Sequence, residues 1–99
     1  MKVVYKVEET TKGVIINVEN NLESLQKLVN GYIETVKTPI KNVVIVCNEE
    51  GLLKKMKPNF AILKYNKEWD ELYSDSMIVG PALFVGVKGA DFRSLTQDE

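Results

Sequence analysis

The stretch Asn42-Val-Val-Ile-Val-Cys-Asn-Glu-Glu-Gly51 decides the fold. Residues 43–47 are five consecutive apolar side chains without polar alternation, the pattern of a strand covered on both faces and placed centrally in a sheet. Asn48-Glu49-Glu50-Gly51 then breaks the strand with polar side chains and a residue free to take positive φ. Such strand ends either turn the chain or position binding groups in sheets of this kind.

Upstream, residues 2–7 alternate loosely and Gly13-Val-Ile-Ile-Asn-Val-Glu19 is rich in β-branched residues, so the two pair as a hairpin around Glu9-Thr-Thr-Lys-Gly13. Asn20 stands three residues before Glu23, a capping-box spacing that starts a helix. Leu22, Leu25, Leu28 and Val29 fall at helical spacing, and Asn30-Gly31 supplies a left-handed stop. This helix is expected to cover one face of the 43–47 strand. In Tyr32-Ile-Glu-Thr-Val-Lys37, the apolar spacing also fits a helix, but the β-branched residues, Gly31 and nearby Pro39 favour a strand.

Downstream, residues 52–63 hold one helical turn before Pro58, where regularity is expected to end because proline disfavours helical geometry in the residue ahead of it. Residues 64–76 are polar with interspersed Trp69, Leu72 and Tyr73. Met77-Ile-Val-Gly-Pro-Ala-Leu-Phe-Val-Gly86 resumes strand composition, with a bulge or sheet edge expected at Gly80-Pro81 because proline lacks a ladder donor. From Gly89 the chain reads as a last short helical turn with Phe92 and Leu95 tucked in. The expected class is α+β: one domain over residues 1–99, with a mostly antiparallel or mixed sheet of about five to six strands, one main helix on one face, and short helical turns.

Hydrophobic residues make up 44% of the 99 and charged residues 27%, a globular balance. A domain this small leaves roughly two-fifths of its unfolded surface exposed, so association of copies is a useful further source of burial, and a homo-oligomer is expected. One cysteine and no leader-like apolar segment point to a reducing cytosol, and the apolar run at 43–47 is far too short for a bilayer.

The net charge of −1 hides a segregation. Residues 51–67 carry Lys54, Lys55, Lys57, Lys64 and Lys67 with no acid, whereas residues 68–99 carry two basic groups against seven acidic ones. That run is a solvated face on one reading and an anion-facing surface on the other. A chain pI near 5.5 argues against nucleic acid as the partner.

The chain has no histidine, which removes the commonest general base, the commonest metal ligand and every imidazole-based triad. One cysteine cannot build a thiolate zinc site. A carboxylate-only magnesium or calcium site at Glu49, Glu50 or the Asp70/Glu71 pair lacks calcium-loop spacing. No phosphate-cradling glycine loop occurs, and Cys47 reads as a small buried hydrophobe. No cofactor or catalytic residue is expected. The candidate ligand contacts are Asn48, Glu49, Glu50 and Gly51 at the strand end, with Lys54, Lys57, Asn59 and Tyr65 in the basic segment. Lysines beside aromatics suit a phosphorylated, base-containing ligand, whereas Phe60 and Trp69 are read as core.

The order of a hairpin, Leu22-Glu-Ser-Leu-Gln-Lys-Leu-Val-Asn-Gly-Tyr-Ile33, Val-Cys-Asn-Glu-Glu-Gly51, Pro58-Asn59 and a glycine-rich apolar strand resembles a small uncharacterised domain family carried by phages, plasmids and bacteria. The resemblance runs from about Lys2 to Thr96 and departs at Phe60, where a basic residue would follow the asparagine. It implies context rather than chemistry: small phage proteins of this kind act against host defences, and some relatives resemble antirestriction proteins. DNA mimicry needs a dense negative surface, which a nearly neutral chain lacks.

The resulting expectation is a non-enzymatic counter-defence protein of phage or mobile-element origin that sequesters a small anionic, nucleotide-like signal. The alternatives are an inhibitor or accessory module that binds a host defence protein through a sheet edge, and a metal-dependent hydrolase using Glu49 or Glu50.

Overall fold

The computed structural model describes residues 1–68 and 71–99, and of residues 64–66 and 71–76 the backbone. The apolar run forms β4 (Val43–Asn48), flanked on one side by β3 (Ile33–Lys37) and on the other by β7 (Ala82–Lys88), each antiparallel to it. β1 (Lys2–Lys6) continues the sheet beyond β7, and β2 (Val14–Asn17) pairs with β1 as the expected hairpin. β8 (Asp91–Arg93) also pairs with β7, past the end of β1. The result is a six-stranded antiparallel sheet ordered β2-β1-β7-β4-β3, with β8 off that path.

β4 shows why an unbroken apolar run marks a strand with two covered faces. Val44 and Val46 face α1 (Leu22–Val29) in a cluster with Val3, Leu25, Leu83 and Val85. Ile45 and Cys47 face the other way, against Ala82, Ile62 and Ile78. The second cover is a separate two-stranded sheet made by β5 (Pro58–Asn66) and β6 (Glu71–Val79), and Phe60 stacks on Phe84 with ring centroids 5.1 Å apart. The fold is α+β, with the helix on one side of the main sheet and this long hairpin on the other.

Four local expectations are corrected. The helix is capped by Asn21, whose Oδ1 accepts from the Ser24 amide at 2.8 Å, while Asn20 is diverted to donate to the Phe92 carbonyl. Glu23 pairs with Lys27 one turn on instead of reaching back. Regularity does not end at Pro58: proline is admissible as the first residue of a strand, and it opens nine residues of β5 with ladder irregularities beside Asn59 and after Ile62. Gly80-Pro81 is neither a bulge nor an edge. With Gly80 at φ +79°, it carries the chain from β6 in the small sheet to β7 in the large one, where no ladder donor is required. The segment after Gly89 is strand β8, because its backbone completes the ladder of β7. Trp69 and Asp70 lie outside the described residues.

Candidate functional site

Asn48 ends β4 on the helix side, 3% exposed, and its polar atoms are engaged within the chain. Its Nδ2 donates to the carbonyls of Val29 and Asn30 at 3.0 and 3.2 Å, closing the C-terminal end of α1, and its Oδ1 accepts from the Glu50 amide at 2.8 Å. The Glu49 amide donates to the Tyr32 carbonyl, leaving the Glu49 side chain exposed. Residues 50–54 make the one helical turn read from the sequence. Lys54 N–H reaches the Glu50 carbonyl, Met56 N–H reaches Gly51, Lys55 N–H reaches Leu52, and Lys55 stands at φ +53°. That pairing of a six-residue and a four-residue closure around a left-handed residue is a Schellman stop. Gly51 is required there, since a Cβ would lie 2.8 Å from Val79 Cγ2 and 3.1 Å from its carbonyl oxygen.

The candidate lysines do not converge. A Cβ on Gly31 would lie 3.2 Å from Lys54 Nζ, so that ammonium sits at the C-terminal end of α1, where a cation is favoured. Lys57 points away from it and pairs with Glu8 at 3.5 Å. Asn59, 2% exposed, donates to the carbonyls of Lys6 and Gly80 at 2.8 and 2.9 Å and so ties β1, β5 and the β6–β7 link together. Its Oδ1 is buried with no donor among the described residues. The Tyr65 side chain lies outside the described part of the structure. Asn48, Glu49 and Gly51 do meet, in a groove of about 300 Å³ that also takes in Glu34, Cys47, Leu52, Leu53 and Met77.

That groove is apolar and acidic rather than basic. Cys47 Sγ lies 3.8 Å from Glu34 Oε1 at its base; burial, the neighbouring carboxylate and the S–H donation push the thiol up to about 11, so it stays protonated and inert near neutral pH. Among the described residues no group of three His, Cys, Asp or Glu side chains could hold a metal ion, and no helix is long and apolar enough to cross a membrane.

Two surface features carry no marker in the sequence reading. Leu52 and Leu53 project from the helical turn, 77% and 83% exposed, beside half-exposed Met77. At the opposite end of the sheet, β2 is an edge strand in which Ile15 is 75% exposed, and residues 14–17 carry no charge. A second groove of about 440 Å³ lies over β1 between Ile15 and the tail, lined by Val3, Val4, Ile15 and Leu95 with Lys2 and Glu99 at its polar positions. The missed signal for β2 was its lack of charge, since natural edges are commonly blunted by lysine or proline.

Residues 1–99 match a protein family described as a domain of unknown function, DUF3846. The chain belongs to the DUF3846 family. No curated protein and no solved structure matches it. Membership accords with the resemblance read from Gly-Tyr-Ile33 and Asn-Glu-Glu-Gly51 in the coarser sense of an uncharacterised domain family. The tail that closes this DUF3846 domain is held by a bidentate pair, Arg93 Nη1 and Nη2 each 2.8 Å from a Glu99 carboxylate oxygen.

Proposed function

We propose that this DUF3846 domain is a non-enzymatic binding module that engages a protein partner by adding a strand to the free edge of β2. The observation that carries the reading is an uncharged, β-branched edge, Val14–Asn17, with Ile15 75% exposed beside an open apolar groove. Unpaired edge amides and carbonyls supply affinity to an incoming strand, and alternate side-chain pockets supply selectivity. Set in a phage or mobile element, such a module would act in the host cytosol as an inhibitor or accessory of a host defence protein.

The test is a pull-down from host lysate with hydrogen-exchange mapping of the recovered complex. One stoichiometric partner that protects the β2 amides and is lost on Ile15→Lys supports the reading. A partner retained at full strength by Ile15→Lys sinks it.

The lysine-rich, acid-free residues 51–67 favour a second reading, capture of a small anionic, nucleotide-like signal. Because Lys54 and Lys57 diverge within one chain, such a site would be assembled between copies. A panel of nucleotides that raises the melting temperature in proportion to ligand concentration would support it, and a panel without effect would remove it.

A further inference from the structure

We propose that the Leu52–Leu53 turn and the groove beside it form a self-complementary surface through which two copies of the chain associate about a two-fold axis. The surface is separate from the β2 edge. Leu52, Leu53 and Met77, 77%, 83% and 51% exposed, form a contiguous apolar rim around a groove of about 300 Å³. Isolated exposed apolar residues need no explanation, but large apolar side chains grouped around a concavity mark an interaction surface.

The charges around the rim name the occupant. Glu34 and Glu49 line the groove, while Lys54 and Lys55 follow Leu53 directly on the projecting turn. Neither lysine makes an ion pair among the described residues. A partner of uniform charge would oppose one of these two groups. A second copy related by a two-fold axis opposes neither, because in such a contact the patch meets itself and the ridge of each chain faces the groove of the other. Leu53 of one chain then enters the groove of its partner with Lys55 beside it, and Lys54, whose ammonium rests at the end of α1 in the single chain, swings across to join it opposite the acids. Each acid thereby gains the base that its own chain directs elsewhere. The patch is small, so the association is a concentration-dependent equilibrium that weakens with salt.

The experiment is sedimentation velocity over a concentration series, with circular dichroism confirming that each variant is folded. The wild type should form dimers, and Leu53→Glu should weaken the dimer constant by about tenfold or more, as expected for a central apolar anchor. Leu52→Ser serves as a second, milder variant at an equally exposed site. Two charge-reversed chains provide the decisive arm: Glu34→Lys with Glu49→Lys, and Lys54→Glu with Lys55→Glu. Each by itself should be monomeric, since like charges then meet across the axis, and an equimolar mixture should recover the dimer, since both sets of opposite charges are restored. A wild type that stays monomeric to its solubility limit overturns the proposal. So does a dimer indifferent to Leu53→Glu, or a mixture of folded reversed chains that remains monomeric.

Discussion

Asn59 has no neighbour in sequence that explains its burial. Its amide nitrogen reaches the Lys6 carbonyl, more than fifty residues away, and the Gly80 carbonyl, so one side chain joins the first strand to the link between the two sheets. Replacing it by Leu keeps the approximate volume but leaves two carbonyls without their donor, at about 1–3 kcal/mol for each buried group left unpaired. Urea unfolding of Asn59→Leu should therefore show a loss of about 2–6 kcal/mol. A loss near zero would mean that water replaces the amide. In the sequence this residue is conspicuous as a polar group beside a proline-fixed backbone, which suggests a ligand contact. Whether a polar side chain serves a ligand or the fold depends on partners far along the chain, which local pattern does not carry.

Arg93 and Glu99 present the same problem at the other end of the sheet. Arg93 lies flat across Gly86, where any Cβ would collide with its guanidinium, and its two donors hold Glu99 while the Thr96 amide donates to the same carboxylate. The side-chain hydrogen bonds from Arg93, then the Thr96 amide, pull the Glu99 carboxyl down to about 2. A carboxyl with a depressed folded value stabilises the native state above its unfolded value, about 4.3. That contribution shrinks as pH falls below about 4 and is gone once pH passes through about 2, so the tail contact itself should be intact at pH 5 and titrate near 2. Gly86→Ala should displace Arg93 and return the Glu99 titration, followed by carboxyl NMR shifts, toward the ordinary range. An unchanged titration in that variant would show that Gly86 does not position the pair.

At the scale of elements, the helix and β4 were legible because their patterns are local. Leu25 and Val29 are buried, the C-terminal stop at Asn30 takes φ +62°, and the 43–47 run packs on both sides. The capping register slipped by one because two adjacent asparagines offer equivalent local chemistry, and the choice is made by Phe92, whose carbonyl takes Asn20. β5 and β6 were not legible. Polar residues dominate 64–76, and the hairpin's packing on the main sheet rests on Ile62 and Ile78, too widely spaced to make a periodic signal. The Tyr5 hydroxyl adds a tie from β1 to the helix, donating to the Leu28 carbonyl at 2.9 Å. Leu25, 2% exposed, is the helix's central anchor, and Leu25→Ala should cost about 2–5 kcal/mol in thermal or chemical unfolding. Leu53→Ala, at an 83% exposed position, should change monomer stability by less than about 0.5 kcal/mol, which separates an anchor of the fold from an anchor of association.

Across the whole molecule, charge was legible as composition but not as geometry. Five lysines in residues 51–67 imply a common surface only if the chain there runs along one face. Instead a helical turn closes at Lys55 and sends Lys54 toward α1, and Lys57 toward Glu8 in the β1–β2 turn. Sequence proximity groups the acids at 49 and 50 with the lysines as one ligand site, whereas in the structure only Asn48, Glu49 and Gly51 share a groove. The sheet's two edges, β2 and β3, were equally invisible, because strand order follows from β7 inserting between β1 and β4.

That insertion also governs the order in which the molecule can be made. β1–β2 and β3–β4 are hairpins of neighbouring segments, able to form early, yet a lone two-stranded hairpin is marginal in water. They share no ladder until Ala82–Lys88 arrives to bond both. As the chain leaves the ribosome, the apolar sides of β1 and β4 wait for a strand still being translated, a window in which chaperones or a second nascent copy can reach them first.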